Sequence, residues 1–297
     1  MTHINKTYQV GDITVTRIDE MRLNTSAVSF LYPDSTQAEA EENAWWLTPA
    51  DMDATNHNLV QSIHSWLVRT PHHTILIDTG AGNTKPRPRN PIFDNLNTPY
   101  LHRLAAAGVR PQDVDYVLHT HLHVDHVGWN TQWVDGRWQP TFPNARHVFS
   151  QAEEDYYGSP ESHNEVNTPS FGVFEDSVAP IIAAGQAERI GNDGGTFLDN
   201  FEFHPTRGHS IGHMSIELSS RGQSALFTGD VMNHQLQVVY PHWNTVFCEW
   251  QDDARISRRR VLEQSAEQHL LLFTSHFAQT SAGYVSRLGD GFTWHYE

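Results

Sequence analysis

The sequence predicts an α/β fold built in layers, and three observations favour this class. Short apolar runs bounded by turn residues recur along the chain, stretches with helical spacing separate several of them, and the chain is long enough to bury a large core. Of its 297 residues 38% are hydrophobic, including nine tryptophans, fourteen phenylalanines and nine tyrosines. This composition is typical of a globular protein and excludes a fibrous or disordered one.

The predicted strands follow from two kinds of apolar pattern. Alternation of apolar and polar residues indicates the first strand, ITVTRI. The later segments LVQSIHSWLV, TILI, VDYVL, HVFS, SIEL, ALFT and LLLFT are rich in apolar and β-branched residues and end at turns or polar loops. In chain order the predicted strands are residues 13–18, 59–68, 74–77, 114–118, 147–150, 215–218, 225–228 and 270–274.

Two segments carry the spacing of an amphipathic helix. They are residues 98–107 and residues 252–268, and the second begins with two aspartates, which the helix dipole favours at that end. It also carries an arginine triplet at 258–260. Because charge clusters of this kind usually lie on a solvated face, we expect these arginines at the surface and outside any site.

Two polar segments have the character of insertions in a single domain that spans residues 1–297. Residues 21–58 are acidic and loop-like, and residues 158–178 are rich in serine, proline, asparagine and glutamate. Long irregular loops in a compact domain are often lids or binding loops. Packing on the surface or at an oligomer contact is an equally open interpretation.

Charge and composition exclude several classes of partner. The formal net charge is −16 and the lysines are Lys6 and Lys85, so the chain has no long-range attraction for nucleic acid or anionic membranes. The single cysteine, Cys248, allows no internal disulfide and is expected to be buried as an apolar residue. No apolar run approaches the ~20 residues of a membrane span, and the first residues lack a secretory pattern. We therefore expect a cytoplasmic protein.

The densest group of metal-binding residue types is HTHLHVDHVGWN at 119–130, directly after the predicted strand 114–118. Sites in layered α/β folds usually lie in loops that leave strand ends. His121 and His123 alternate toward one side, while Asp125 and His126 can turn toward a second point nearby. Imidazole and carboxylate ligands suit Zn²⁺ and related ions. The alternative is a histidine-rich patch that binds nothing.

Three later segments repeat the order of strand followed by ligand type. In PTRGHSIGH a glycine-permitted turn presents His209 after the strand-like FEFH. In LFTGDVMNH an apolar run ends at Asp230, which can donate a carboxylate to two metals, and in LLLFTSHF another ends at His276. These segments supply what the first loop lacks for a two-metal site.

The ordered set resembles the metallo-β-lactamase-fold hydrolase superfamily. Its five successive motifs are matched by LIDTGAG with Asp78, THLHVDH at 120–126, GHS at 208–210, TGD at 228–230 and SHF at 275–277. Together they span residues 76–277, and the set is far more specific than any one member. The resemblance implies a four-layer αβ/βα sandwich with metal ions between two β-sheets.

Carried over motif by motif, the resemblance assigns two sets of ligands. His121, His123 and His209 would hold the first ion, Asp125, His126 and His276 the second, and Asp230 would bridge them. Asp78 resembles the first-motif carboxylate that supports a ligand from behind. His119 and His213 fall outside the ligand pattern.

The function that follows is hydrolysis of a small ester-like molecule, a lactone or carboxylic ester, by attack of a metal-bridging hydroxide. The cofactors would be two divalent ions, with Zn²⁺ favoured over Mn²⁺ or Fe²⁺, and Asp125 and Asp230 the catalytic carboxylates. The partner would be a small-molecule substrate, and related hydrolases suggest a homodimer.

Departures from subfamily patterns keep other substrates open. Length, DHVGWN and SHF are similar to the lactonase and organophosphate-hydrolase-like branch, but Asn233 stands where familiar lactone-cleaving members carry tyrosine. No lysine follows residue 85 to hold a β-lactam carboxylate, although Arg207 could substitute. A phosphotriester hydrolase, a glyoxalase-like thioesterase, a mononuclear iron persulfide dioxygenase and a non-catalytic metal-binding protein are the alternatives.

Four residues close to the ligands in sequence are candidates for an apolar substrate pocket. They are Trp129, Met232, His234 and Phe277. Large apolar side chains beside a site can line it, but packing in the core explains them equally well.

Overall fold

A computed structural model describes residues 6–36, 38–39, 42 and 46–297 of the chain. The other residues, which include part of the predicted insertion at 21–58, lie outside the described part. Within the described part, two seven-stranded sheets and a two-stranded sheet combine with helices. The predicted α/β class is confirmed.

The first large sheet contains parallel and antiparallel strands. In its spatial order the first four strands pair antiparallel with their neighbours, whereas the fourth to seventh strands are parallel neighbours. In spatial order the strands are β1 (Thr7–Val10), β2 (Ile13–Ser26), β3 (Leu59–Arg69), β4 (Thr74–Ile77), β5 (Tyr116–Leu118), β8 (Arg146–Ser150) and β9 (Ala187–Ile190). A separate hairpin consists of β6 (Thr131–Val134) and β7 (Arg137–Pro140).

The second large sheet follows chain order, and its fourth and fifth strands form its one parallel pair. Its strands are β10 (Gly195–Phe197), β11 (Phe201–Pro205), β12 (Met214–Ser220), β13 (Gln223–Gly229), β14 (Leu271–Thr274), β15 (Ala282–Leu288) and β16 (Gly291–Tyr296). The α-helices with described bounds are α1 (Val28–Leu31), α2 (Tyr100–Ala106), α3 (Gln151–Tyr157), α4 (Ala179–Ala183), α5 (Leu236–Val239) and α6 (Gln251–Gln268).

Alternation along the central strands produces the layers. On β4, Ile75 and Ile77 enter a core shared with the second sheet, whereas Leu76 packs with α2 on the outer face. On β13, Phe227 enters the shared core and Leu226 packs with α6. Because successive strand residues point to opposite faces, each sheet buries one face against the other sheet and part of its second face under helices.

Predicted and observed elements agree best where burial is continuous. The strand predicted at 74–77 has the same bounds in the structure, whereas β5 begins at Tyr116, two residues later than predicted. β2 runs on to Ser26, so the first residues of the predicted insertion at 21–58 belong to a strand. The edge strands and short hairpins lack strong apolar patterns, and the sequence did not predict them.

The expectation for the arginine triplet is wrong at its first member. Arg258 is 1% exposed, and its guanidinium donates to the carbonyl oxygens of Val231, Pro241 and Trp243. Arg259 and Arg260 are exposed as expected. One face of α6 packs on the second sheet, and Arg258 lies on that face, where it binds the backbone of the loop after β13.

In the part of the chain that the structure describes, no helix combines the length and the apolar composition needed to cross a bilayer.

Candidate metal centre

The seven predicted ligand residues converge at the ends of strands from both large sheets. His121, His123, Asp125 and His126 lie in the loop after β5. His209 lies between β11 and β12. Asp230 directly follows β13, and His276 lies two residues after the end of β14. Because β4 and β5 are parallel, as are β13 and β14, the carboxyl ends of each pair meet at one edge.

The first set of side chains is His121, His123 and His209. The Nδ1 atom of His123 lies 3.1 Å from Nε2 of His121 and 2.9 Å from Nε2 of His209. All three side chains are buried, and their ligand atoms lie within 4.8 Å of one another. Three imidazole nitrogens thus face a common point.

The second set is Asp125, His126 and His276. Nε2 of His126 lies 3.7 Å from Oδ1 of Asp125, and Nε2 of His276 lies 3.8 Å from Oδ2 of the same carboxylate. The two histidines are buried, whereas the Asp125 side chain is 17% exposed. This set is therefore the more accessible of the two.

Asp230 lies between the sets. Its Oδ2 is 3.3 Å from Nε2 of His209, in the first set. Its Oδ1 is 3.3 Å from Nε2 of His126 and 3.0 Å from Nε2 of His276, in the second set. One carboxylate is in reach of both positions.

These distances fit a pair of divalent metal ions. Four ligand atoms at ~2.05 Å from a tetrahedral ion lie ~3.4 Å from one another, close to the separations within the two sets. Nε2 of His126 and Oδ1 of Asp230 are buried and, despite the short distances given above, neither makes a hydrogen bond of acceptable geometry in the described structure. Because buried polar atoms are nearly always satisfied, these two atoms have the character of ligands.

Charge separates the histidines into two kinds. Burial and neighbouring imidazoles lower the pKa of His121 and His209 well below its ordinary value, and burial lowers that of His123 to about 3. These imidazoles are neutral, which is the form that binds metal. Burial also lowers the pKa of His126 and His276, but the carboxylates, Asp230 first, outweigh it and raise both. Positive charge is therefore stabilised at this second position.

Asp78 supports the first loop from behind. It follows β4 in a left-handed conformation, with φ at 55°, and its carboxylate accepts hydrogen bonds from the backbone N–H and hydroxyl of Thr120. Its Oδ2 also lies 2.9 Å from Nδ1 of His126. Burial raises the pKa of Asp78, but His126 and His119 more than offset it and lower the pKa. The ionised carboxylate thus leaves Nε2 of His126 directed at the metal position.

Asp78→Asn is expected to weaken binding of a divalent ion such as Zn²⁺ at the His126 position by about 10–100-fold, the usual cost of losing a partner behind a ligand. The asparagine keeps the size and tolerates positive φ, so the backbone is retained. Competition of the zinc-loaded protein against a chelator measures the change. Asp135→Asn is the matched control because Asp135 is exposed and also has positive φ, at 51°. Equal affinity in both variants would contradict this role for Asp78.

Two buried glutamates that the sequence did not predict fix the loops of the site. Glu153 of α3 accepts hydrogen bonds from the backbone N–H of Leu122 at 2.9 Å and of Gly212 at 2.7 Å, and burial raises its pKa to about 7. Glu20 accepts from the backbone N–H of Ala81 at 2.6 Å and from Nε1 of Trp129 at 2.7 Å. Neither lies in a metal-binding motif, so a motif search has no signal for them.

A cavity of about 250 Å³ opens beside the metal position. His123, Asp125, His209, Asp230 and His276 form its polar floor. Its apolar lining comes from the two predicted insertions, the segment after β4, strand β3 and the segment before α6, and it includes Leu23, Phe30, Ile63, Ile92, Phe93, Val166 and Phe247. Parts of both predicted insertions therefore line this cavity.

The predicted pocket residues lie elsewhere, so this interpretation is corrected to core packing. Trp129 stacks on Tyr100 at 5.3 Å between ring centroids, and Met232 is fully buried beside α6. His234 binds the carbonyl oxygen of Asp51, and Phe277 is buried in the core behind the second sheet. Adjacency to a ligand in sequence does not place a side chain on the same side of the loop.

Three further residues that the sequence analysis discussed are Asn233, Arg207 and Cys248. Asn233 lines the cavity and donates from Nδ2 to Oδ2 of Asp230 at 2.7 Å. Arg207 lies outside the cavity, exposed, where its guanidinium donates to the carbonyl of Asn192, whereas Arg89 lines the cavity. Cys248 is buried as expected, with Sγ 3.8 Å from Nδ1 of His209.

Comparison with known families gives one extended match. The profile described as Metallo-beta-lactamase superfamily matches residues 59–267. This range includes the loop after β5, His209 and Asp230.

Curated relatives match a shorter segment. N-acyl homoserine lactonase AttM from Azorhizobium caulinodans is 39% identical over 59 residues, which are 20% of this chain and 19% of that protein. AttM from Agrobacterium fabrum is 39% identical over 61 residues, 20% of each chain. The matched segment thus spans about a fifth of these relatives.

Solved structures match almost the whole chain. Hydrolase AbOPH of the beta lactamase superfamily has a TM-score of 0.84 and 25% identity, with 99% of this chain and 97% of that chain covered. AidC, described as a dizinc quorum-quenching lactonase, has a TM-score of 0.80 and 22% identity at the same coverages, and this likeness shows the fold alone.

Proposed function

This chain belongs to the metallo-beta-lactamase superfamily, and we propose that it is a dinuclear-metal hydrolase of small ester-like substrates, with lactones and carboxylic esters favoured. The observation that carries the proposal is the position of Asp230. Its two carboxylate oxygens lie within 3.3 Å of nitrogens from both ligand sets, at the floor of an open cavity.

The residues that would hold the ions are those named above. His121, His123 and His209 would bind one ion and Asp125, His126 and His276 the other, with Asp230 between them. Two divalent ions bound by these residues would supply an activated water as nucleophile and would stabilise negative charge on the substrate oxygen. No serine, threonine or cysteine nucleophile is required.

The chain's own residues orient the reacting groups. Asn233 donates to Asp230 and holds its carboxylate in one rotamer. The amide N–H₂ of asparagine donates hydrogen bonds but is not acidic near neutral pH, so Asn233 does not protonate a leaving group. Asp125 is the more exposed of the two carboxylates at the cavity floor, and we assign proton transfer there to Asp125 or to solvent.

The cavity supports a substrate with an apolar substituent. Apolar side chains such as Phe30, Ile92 and Phe93 line it beside the candidate metal ligands, together with polar residues such as Gln61, Arg89 and Asn167. Curated lactonases match a fifth of the chain, which supports the lactone class within the ester-like group.

The decisive test combines metal content with a substrate screen. Elemental analysis of the purified protein should find two divalent ions per chain, and lactones or carboxylic esters should be hydrolysed faster than phosphotriesters and thioesters with added Zn²⁺, Mn²⁺ or Fe²⁺. One iron per chain with activity toward a persulfide would replace the proposal. Fully loaded protein without turnover on any of these substrates would refute it.

Ile92→Ser is expected to reduce the preference for longer acyl chains. Ile92 lines the cavity and is 37% exposed. Because each methylene buried against an apolar wall contributes ~0.8 kcal/mol, the ratio of kcat/KM between long-chain and short-chain esters should fall about 4-fold.

The control for this variant is Ile256→Ser, which makes the same change on α6 at a side chain that is 67% exposed. It should leave the ratio unchanged. If Ile92→Ser also left the ratio unchanged while lowering stability, Ile92 would be packing and not substrate contact.

A further inference from the structure

The carboxylate of Glu249 is the centre of a hydrogen-bond cluster beside the metal position. It lies in the segment before α6 and is half-buried. Two phenols and two amides donate to it: Tyr156 at 2.7 Å, Tyr157 at 2.9 Å, Asn164 at 3.1 Å and Asn167 at 2.7 Å. None of these residues belongs to a metal-binding motif.

Tyr157 joins this carboxylate to a ligand residue. Its hydroxyl oxygen lies 2.7 Å from Nε2 of His123. A phenol has a single proton, and a carboxylate can only accept. Since the Tyr157 proton is directed to Glu249, the hydroxyl oxygen must accept a hydrogen bond from Nε2–H of His123.

The hydrogen bond determines which nitrogen of His123 is free. With the proton on Nε2, the lone pair of the neutral imidazole is on Nδ1. Nδ1 is the atom that faces Nε2 of His121 and Nε2 of His209, at 3.1 and 2.9 Å. The opposite tautomer would direct an N–H at the metal position.

We propose that Tyr157 and Glu249 are positioning residues that fix the Nε2–H tautomer of His123 and thereby its metal-binding atom. Neither touches the metal position or the substrate. The consequence for metal binding rests on the proposed dinuclear function, whereas the direction of the hydrogen bonds between Glu249, Tyr157 and His123 does not.

The same carboxylate connects the metal ligand to the cavity wall. Asn164 and Asn167 belong to the predicted insertion at 158–178, and Asn167 lines the cavity. The backbone N–H of Glu249 also donates to the carbonyl of His209 at 3.2 Å. Glu249 thus holds the insertion and two loops of the metal centre in one arrangement.

Tyr157→Phe should weaken binding of one of the two Zn²⁺ ions by about 10–100-fold, as expected for a residue that orients a ligand. Competition of the zinc-loaded protein with a chelator measures this. Tyr156→Phe is the matched control, because it removes a neighbouring phenol that donates to the same carboxylate without contacting His123. Its affinity for both ions should stay within twofold of the wild type.

A second measurement reads the hydrogen bond itself. In the zinc-loaded protein the Nε2–H proton of His123 should give a protected resonance in ¹⁵N-edited NMR spectra. That resonance should persist in Tyr156→Phe and exchange rapidly with water in Tyr157→Phe. Glu249→Gln should give intermediate protection and affinity, since an amide can donate as well as accept and no longer imposes the direction of the Tyr157 hydroxyl.

Two results would overturn the inference. If Tyr157→Phe kept the wild-type zinc affinity and a protected resonance, Tyr157 would have no positioning role. If Glu249→Gln kept the wild-type values of both quantities, Glu249 would have none. Neither measurement uses a substrate. A wild-type protein that binds two zinc ions and hydrolyses no ester would therefore refute the proposed function and leave this inference intact.

Discussion

Asp230→Asn is expected to lower the zinc content from two ions per chain to one or fewer. It should also reduce kcat/KM by about 10²-fold or more, which is the usual effect of losing one electrostatic contact at a reacting centre. Metal analysis after dialysis and initial rates with the best substrate of the screen measure the two effects. Asparagine keeps the size of the side chain, so the packing around it is preserved.

The physical reason is the charge balance around Asp230. Burial raises the pKa of this carboxyl group, but His276, His126 and His209 lower it well below its ordinary value. The side chain is therefore a carboxylate whose Oδ2 lies near His209 and His276 and whose Oδ1 lies near His126 and His276, so that it reaches both ligand sets. An amide offers a single neutral oxygen and an N–H₂ group that repels a cation, so one ion loses a ligand and its charge compensation.

Asp252→Asn is the control for the change in net charge, because the Asp252 side chain is 95% exposed. It should keep two ions and full activity. Retention of both ions and of full turnover by Asp230→Asn would contradict the bridging assignment, and with it the single observation on which the proposed function depends.

The convergence of the seven candidate ligands could be predicted from the sequence better than the surroundings of these residues. His209, Asp230 and His276 each follow a strand and each lies in a short motif, so order along the chain was enough to group them. The cavity is different, because its walls come from residues distant in sequence, such as Phe30 and Phe93. Trp129, three residues beyond His126, turns instead toward Glu20 and Tyr100.

The burial of three charged side chains was also not predicted from the sequence. Glu20, Glu153 and Arg258 look like surface residues in sequence because charged side chains are rarely buried without partners. Their partners are backbone groups of loops far along the chain, which only the fold brings close. Periodicity reports which face of a strand or helix is apolar, but it carries no information on such contacts.

Asp176→Asn should lower the free energy of unfolding by about 3 kcal/mol or more, because it leaves two buried cations without their counter-ion. Asp176 lies in a π-helical turn, Phe174–Val178, within the second predicted insertion. Its carboxylate binds the Arg87 guanidinium through both oxygens, at 2.6 and 2.8 Å, and lies 3.2 Å from Nζ of Lys85. Lys85 and Arg87 are 1% and 2% exposed.

The chain offers an exposed ion pair as a control. Glu263 accepts from Arg259 one helical turn earlier, at 2.7 Å, with both side chains at least 40% exposed. Glu263→Gln should change the free energy of unfolding by only a few tenths of a kcal/mol, since water screens such pairs. Urea unfolding of both variants and the wild type, in the same metal-loaded state, gives the comparison.

The Asp176 substitution should also affect the cavity. Lys85 and Arg87 begin the segment that carries Ile92 and Phe93, so the ion pairs attach one cavity wall to the insertion that forms another. We therefore expect KM for the best ester substrate to rise while zinc content stays at the wild-type value, because no metal ligand lies in this segment. Loss of zinc with unchanged KM would show instead that Asp176 stabilises the metal loops. A free energy of unfolding equal to that of Glu263→Gln would mean that water already screens Lys85 and Arg87 in solution.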